Sequence, residues 1–141
     1  LTGLRWIEVK NLLWNSGIDL KNRKMIINQS KTGRDKVVSL NDTAIQLLGK
    51  PSKTGTLAFN ILTANGANKT LKAWVKRAGI EKKITWHNAR HSTGTNMTWN
   101  GENILTVASQ LGHTTTRHTL RYVKDVEEMK QRATDKLTIN L

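Results

Sequence analysis

Leu111-Gly112-His113-Thr114-Thr115-Thr116-Arg117-His118-Thr119-Leu120-Arg121-Tyr122 is the stretch from which the reading of this chain grows. Its glycine stops the helix predicted before it, where Ile104, Val107, Ala108 and Leu111 recur at helical spacing. His113 stands just past that stop and just before the next predicted helix, which starts near Thr114 and carries Tyr122. Such a junction favours anions, because free N–H groups and the helix dipole point outward there. Tyr122 is the only tyrosine in the 141 residues. Alone, a tyrosine on a helix is half-buried packing and a histidine at a helix stop is a cap, so the remaining sequence has to decide what they do.

Upstream, residues 87 to 99 are helical in pattern and closed by Asn100-Gly101, and this spacing puts His87, Arg90 and His91 on one side. Two imidazoles at i and i+4 can share a zinc ion. Asn88, however, stands where the zinc-protease motif carries its glutamate, and Arg90 between the two ligands would oppose the cation; no metal is expected. Before that, Leu71, Trp74, Val75 and Ala78 mark an amphipathic helix over 66–78 that ends at Gly79, with Lys69, Lys72, Lys76 and Arg77 on its other side.

Further upstream, Ile18-Asp19-Leu20, Met25-Ile26-Ile27-Asn28 and Val37-Val38-Ser39-Leu40 are β-prone runs. They predict a three-stranded antiparallel meander with Lys31 at the mouth of its second hairpin. Asn41 or Asp42 caps a short helix that carries Ala44, Ile45, Leu47 and Leu48 and stops at Gly49; Pro51 to Thr56 is then a loop. Residues 4–14 lack Gly and Pro and read as a helix, on which Arg5 and Glu8 share a face and can pair. After Tyr122, Val126 to Leu141 mixes helix formers with charge. The expected fold is therefore mixed α+β and mainly helical, with a small three-stranded antiparallel sheet packed at one side.

Composition narrows the partners. The 23 Lys and Arg against 10 Asp and Glu give a formal charge of +13, a self-repulsion that a polyanion relieves. Neither a long apolar run nor a long basic amphipathic helix is present, so nucleic acid is expected ahead of a membrane surface. The chain has no cysteine, which excludes a disulfide framework and thiolate zinc fingers. It begins Leu1-Thr2-Gly3-Leu4-Arg5, without a signal-peptide layout, which leads us to expect a cytosolic piece of a longer protein.

Five places then fall into an order: Thr2-Gly3-Leu4-Arg5 with Glu8, Lys31 in a hairpin, His87-x-x-Arg90, Leu111-Gly112-His113, and Thr119-x-x-Tyr122, nine residues beyond His113. In that order they resemble the tyrosine recombinase, or phage integrase, family along essentially the whole chain. The resemblance implies one catalytic domain over 1–141, belonging to a protein with a separate N-terminal core-binding domain and further helices before the Thr-Gly-Leu-Arg motif. It also implies site-specific recombination of double-stranded DNA, in a homo-tetramer on DNA, in the cytoplasm at the nucleoid, without metal, ATP or cofactor. The segment after the tyrosine, Val126 to Leu141, is the expected handle for assembly.

The roles implied by the resemblance are specific. Tyr122 attacks a phosphodiester and forms a 3′-phosphotyrosyl link. His87 accepts its proton, Arg5, Arg90 and His113 cradle the phosphate oxygens, Lys31 protonates the leaving 5′-oxygen, and Glu8 supports Arg5 or a neighbouring histidine. On spacing alone, His91 competes with His87 for the proton. Lys69, Lys72, Lys76, Arg77, Arg117 and Arg121 are candidates for phosphate contacts. The rival readings are a type IB topoisomerase, a non-catalytic DNA-binding protein on the same fold, and a His-ligated metalloenzyme.

Overall fold

The computed structural model describes residues 1–14, 17–29, 33–53, 55–61, 63–123 and 126–137; the side chains of 126–128 are outside that description. A meander of β1 (Ile18–Asp19), β2 (Lys24–Gln29) and β3 (Arg34–Ser39) forms an antiparallel sheet in the order β1-β2-β3. Its register pairs Met25 with Val38 and Ile27 with Lys36. Alternation decides the faces: Met25 and Ile27 turn inward from β2, and Lys36 and Val38 from β3, with Leu40 following on the same face. Leu12, Trp14, Ile18 and Ala44 complete this core. Each fully buried apolar side chain there contributes roughly 1.5–3 kcal/mol.

The helices are α1 (Trp6–Lys10), α2 (Asp42–Leu48), α3 (Ala64–Arg77), α4 (Trp86–Trp99), α5 (Ile104–Leu111) and α6 (Val126–Thr134). The Asn41 side chain caps α2 by accepting from the Ala44 N–H at 2.9 Å. The sheet packs on the helical part through β3 against α5. The Gln110 amide seals that junction, donating to Ser39 O and accepting from Ser39 N, both at 3.1 Å.

Three expectations need correction. The first helix stops at Lys10, not Trp14. Leu12 and Trp14 are both buried, two apart, and Leu13 forms an antiparallel bridge with Leu57. Ala58 N donates to Leu12 O and Trp14 N to Thr56 O, so this stretch follows a strand's period of two. On α3 the inward residues are Ala67 and Val75, while Trp74 stands 63% exposed. No long helix runs from Thr114 either. The chain instead makes two short 3₁₀ turns, Thr116–His118 and Leu120–Tyr122. Three successive β-branched threonines, Thr114 to Thr116, are weak helix formers, and the tighter turns fold Tyr122 back against α4 and α5, where it joins Val107 and Leu111.

Candidate active site

The site is assembled from the N-terminus of α1, the first turns of α4 and the link after α5. Arg5 is the residue at which the chain enters α1. Glu8 holds it twice: its carboxylate accepts from the Arg5 backbone N–H at 2.6 Å and from the guanidinium at 2.9 Å. The Glu8 side chain is 5% exposed, and its second partner is the Lys36 ammonium at 3.1 Å, itself 4% exposed. Burial works to raise the Glu8 pKa, but the Arg5 N–H and the Lys36 and Arg5 cations outweigh it and hold the carboxylate below its ordinary value.

Arg90 lies inside, 3% exposed. Its guanidinium donates to Gly3 O and to Leu111 O, each at 2.6 Å. One fork thereby ties the Thr2-Gly3-Leu4-Arg5 segment to the end of α5. Among the described residues no carboxylate is within ion-pair distance of Arg90; carbonyl dipoles meet its guanidinium, and Glu8 offsets its charge only from farther away. A cation held this way in low dielectric is a standing attraction for an anion.

His113 follows at the mouth of a cleft of about 810 Å³, whose walls include Arg5, Glu8, Gln29, Gly112, His113 and His118. Its Nδ1 meets the buried Thr119 hydroxyl at 2.8 Å. Burial, then the nearby charges of Arg90 and Arg5, push the His113 imidazole down to about 4, so it is neutral at pH 7. His87, exposed at the start of α4, lines a smaller cavity of about 320 Å³ beside Arg5. Burial of its ring and the charges of Arg90, Arg121 and Arg5 lower its pKa as well, which favours the base form.

Tyr122 is 6% exposed. Its ring lies nearly parallel to that of His113, with centroids 6.4 Å apart, and its hydroxyl is 3.1 Å from His91 Nδ1. His91 in turn meets the His87 ring edge-on at 4.5 Å. Gly94 makes room for the phenol, since a Cβ there would sit 2.7–2.8 Å from the ring carbons of Tyr122.

The structure therefore brings Arg5, Glu8, His87, Arg90, His113 and Tyr122 into one cluster. Lys31 lies outside the described residues. The six proposed phosphate contacts, Lys69, Lys72, Lys76, Arg77, Arg117 and Arg121, are all exposed, and among the described residues none has an acidic partner within ion-pair distance. The sequence reading passed over Lys36 and Gly94, and quoted Thr119 in a motif without giving it a role. Lys36 had a usable signal: it sits two before Val38 and four before Leu40 in a strand of period two, which places it on the inward face.

Comparison with known proteins gives this cluster its context. The phage integrase family description matches residues 1–129. A tyrosine recombinase of Thermosipho africanus is 31% identical over 143 residues, covering 96% of this chain and 50% of that protein. The catalytic domain of bacteriophage HP1 integrase superposes with a TM-score of 0.70 at 30% identity, over 96% of this chain and 75% of that one. The Tn1549 transposon integrase, in complex with a circular intermediate DNA, shares the fold with a TM-score of 0.75 at 21% identity, over 96% of this chain and 55% of that one. The curated relatives are longer proteins, and the chain spans between 33% and 50% of the length of those in Staphylococcus haemolyticus, phage HP1 and Thermosipho. With its motifs gathered around one buried arginine and a match running through residue 129, the chain belongs to the phage integrase family.

Proposed function

We propose that this chain is the catalytic part of a tyrosine-type site-specific DNA recombinase, in which Tyr122 cleaves and rejoins a DNA strand. The observation that carries this reading is the buried, carboxylate-free Arg90 beside Arg5, His113 and the only phenol of the chain. An ordinary phenol is ionised about one part in a thousand at pH 7, a deficit of ~4 kcal/mol that a proton acceptor must offset. His91 holds the hydroxyl when no DNA is bound, and His87, kept neutral, accepts the proton during attack. The Tyr122 oxygen bonds to phosphorus, the P–O5′ bond breaks, and a 3′-phosphotyrosyl link with a 5′-hydroxyl results.

The transition state gathers negative charge on the equatorial oxygens. Arg5 and Arg90 meet it as guanidinium donors. His113 adds a neutral one: with the Thr119 hydroxyl donating to Nδ1, the ring proton sits on Nε2, free to face the phosphate. Lys31 supplies the proton that the leaving oxygen needs. The exposed lysines of α3, with Arg117 and Arg121, track the DNA backbone. Because rejoining is the reverse attack, the bond energy is conserved and no nucleotide is consumed. In the full-length protein we place four such chains on the DNA, with the segment after Tyr122 joining neighbours, in the cytoplasm at the nucleoid; among the described residues no helix is long and apolar enough to cross a membrane.

The test is covalent capture on a library of nicked duplexes with a randomised region, where the short product diffuses away and traps the adduct. The wild type is expected to form adducts with or without chelator, and Tyr122→Phe none. Adducts that persist in Tyr122→Phe would overturn the reading, and binding without any adduct would favour a non-catalytic DNA-binding module. Relaxation of supercoiled plasmid without preference for the captured sequence would favour a topoisomerase.

A further inference from the structure

We propose that Lys36 is a positioning residue for this reaction, holding Arg5 and the His113 link in register from beneath. It does so without touching the DNA, and the inference rests on the recombinase reading above. Three observations converge on it. The Lys36 ammonium lies 3.1 Å from Glu8 Oε2, and that same oxygen accepts the Arg5 backbone N–H at 2.6 Å while Oε1 holds the Arg5 guanidinium. The carboxylate is thus clamped between a buried cation and the cation that faces the cleft.

The Lys36 stem has a second neighbour. Gly112 adopts φ +65, in the left-handed region, and a Cβ there would collide with the Lys36 Cδ and the Gln29 amide nitrogen. Glycine is required for both reasons. Gln29, paired across the hairpin with Arg34, donates from its amide to Gly112 O at 3.3 Å. The turn end of the β2-β3 pairing therefore meets the residue that immediately precedes His113.

The ammonium also has a cost that packing alone does not explain. Burial pushes its pKa down, opposed by Glu8, and an apolar pair of similar volume is often as stable as a buried ion pair. A chain that needed only to fill this space would not need two charges. What the charges supply is a fixed orientation for Glu8, and through it for Arg5.

The test compares wild type, Lys36→Met and the double variant Glu8→Gln with Lys36→Met, on a duplex recovered by capture with the wild type. Lys36→Met keeps the stem under Gly112 but leaves the Glu8 charge buried alone; the double variant removes both charges and so preserves the fold. We expect the rate of adduct formation at saturating DNA to fall about 10–100-fold in both, the range for removing a group that orients a reacting one, with DNA affinity within about threefold of wild type. A 5′-bridging phosphorothiolate, whose thiolate leaves without a proton, is expected not to restore the rate, because Lys36 acts on Arg5 and not on the leaving oxygen.

If the wild type forms no adduct, the recombinase reading fails. Where the wild type does form one, a wild-type rate in the double variant, or rescue by the bridging sulfur, overturns the role of Lys36. Failure of the double variant to fold would also overturn it, by making the pair a requirement of the fold.

Discussion

The Tyr122 hydroxyl lies 3.1 Å from Nδ1 of His91, so without DNA the candidate nucleophile is held by a histidine one helical turn beyond the one to which the family resemblance assigns its proton. His91 and His87 meet edge to face, and His87 lines the smaller cavity beside Arg5.

The two histidines are separable by their pH profiles. His87→Ala is expected to slow adduct formation by about 10²–10⁴-fold, the range for removing a general base. His91→Ala, which removes the hydrogen bond that holds the phenol together with ring contacts to His87 and Tyr122, should slow it by about 10–100-fold. Because burial and the charges of Arg90, Arg121 and Arg5 lower the His87 pKa from its ordinary value, the acid limb of the wild-type rate should lie at lower pH than an ordinary imidazole would give. That acid limb disappears in His87→Ala and persists in His91→Ala. An acid limb that vanishes with His91 and survives without His87 would reverse the assignment.

Gly94→Ala tests the approach of Tyr122 to α4. Helix propensity alone would stabilise the variant by ~1 kcal/mol. A methyl pressed against the phenol at 2.7 Å is expected to outweigh that, since overpacking costs about 1–3 kcal/mol. Urea unfolding should show lower stability than wild type, and adduct formation should fall. A more stable, fully active variant would mean that the ring does not sit on α4.

His113 links the site to stability. Its folded pKa of about 4 lies below the unfolded 6.5. Both states are neutral above 6.5, so the stability is fully present there. As pH falls from 6.5 towards 4 the unfolded chain takes up a proton that the folded one refuses, and stability declines. One unit corresponds to about 1.4 kcal/mol, and solvent screening at a partly exposed ring keeps the total below roughly 3 kcal/mol. Thermal midpoints should drop over this window, and His113→Phe should flatten the drop in part, because His87 is shifted in the same direction. An unchanged pH dependence in His113→Phe would contradict the burial of the ring.

How far these features could be read from the sequence varied with their local signal. The meander was legible because Met25, Ile27, Val38 and Leu40 alternate, and α4 and α5 because their glycine stops are explicit. The first helix was overdrawn because residues 4–14 lack Gly and Pro, and the period of two at Leu12 and Trp14 is too short a signal until their pairing with residues 55–58 decides. The helix at Tyr122 was an extrapolation across three threonines. Arg5, Glu8, His87, Arg90, His113 and Tyr122 were legible as a motif, but their geometry was not. The carbonyl cage of Arg90 comes from Gly3 and Leu111, backbone groups that no side-chain pattern reveals. The hold of His91 on the phenol depends equally on a fold-back that spacing does not encode.

The basic face predicts a salt response. Removing one cation that neutralises a DNA phosphate lowers the slope of log binding constant against log salt by about 0.9. Lys72→Gln with Lys76→Gln, both exposed on α3, should therefore lower the slope on duplex DNA by about 2. A slope equal to wild type would place DNA away from α3.

The most direct measurement is peptide mass spectrometry of the protein trapped on its captured nicked duplex. The expected result is a nucleotide 3′-phosphate carried by the peptide containing Tyr122, and by that tyrosine within it. The same mass shift on a serine, threonine or histidine, with Tyr122 unmodified, would contradict the account at its centre.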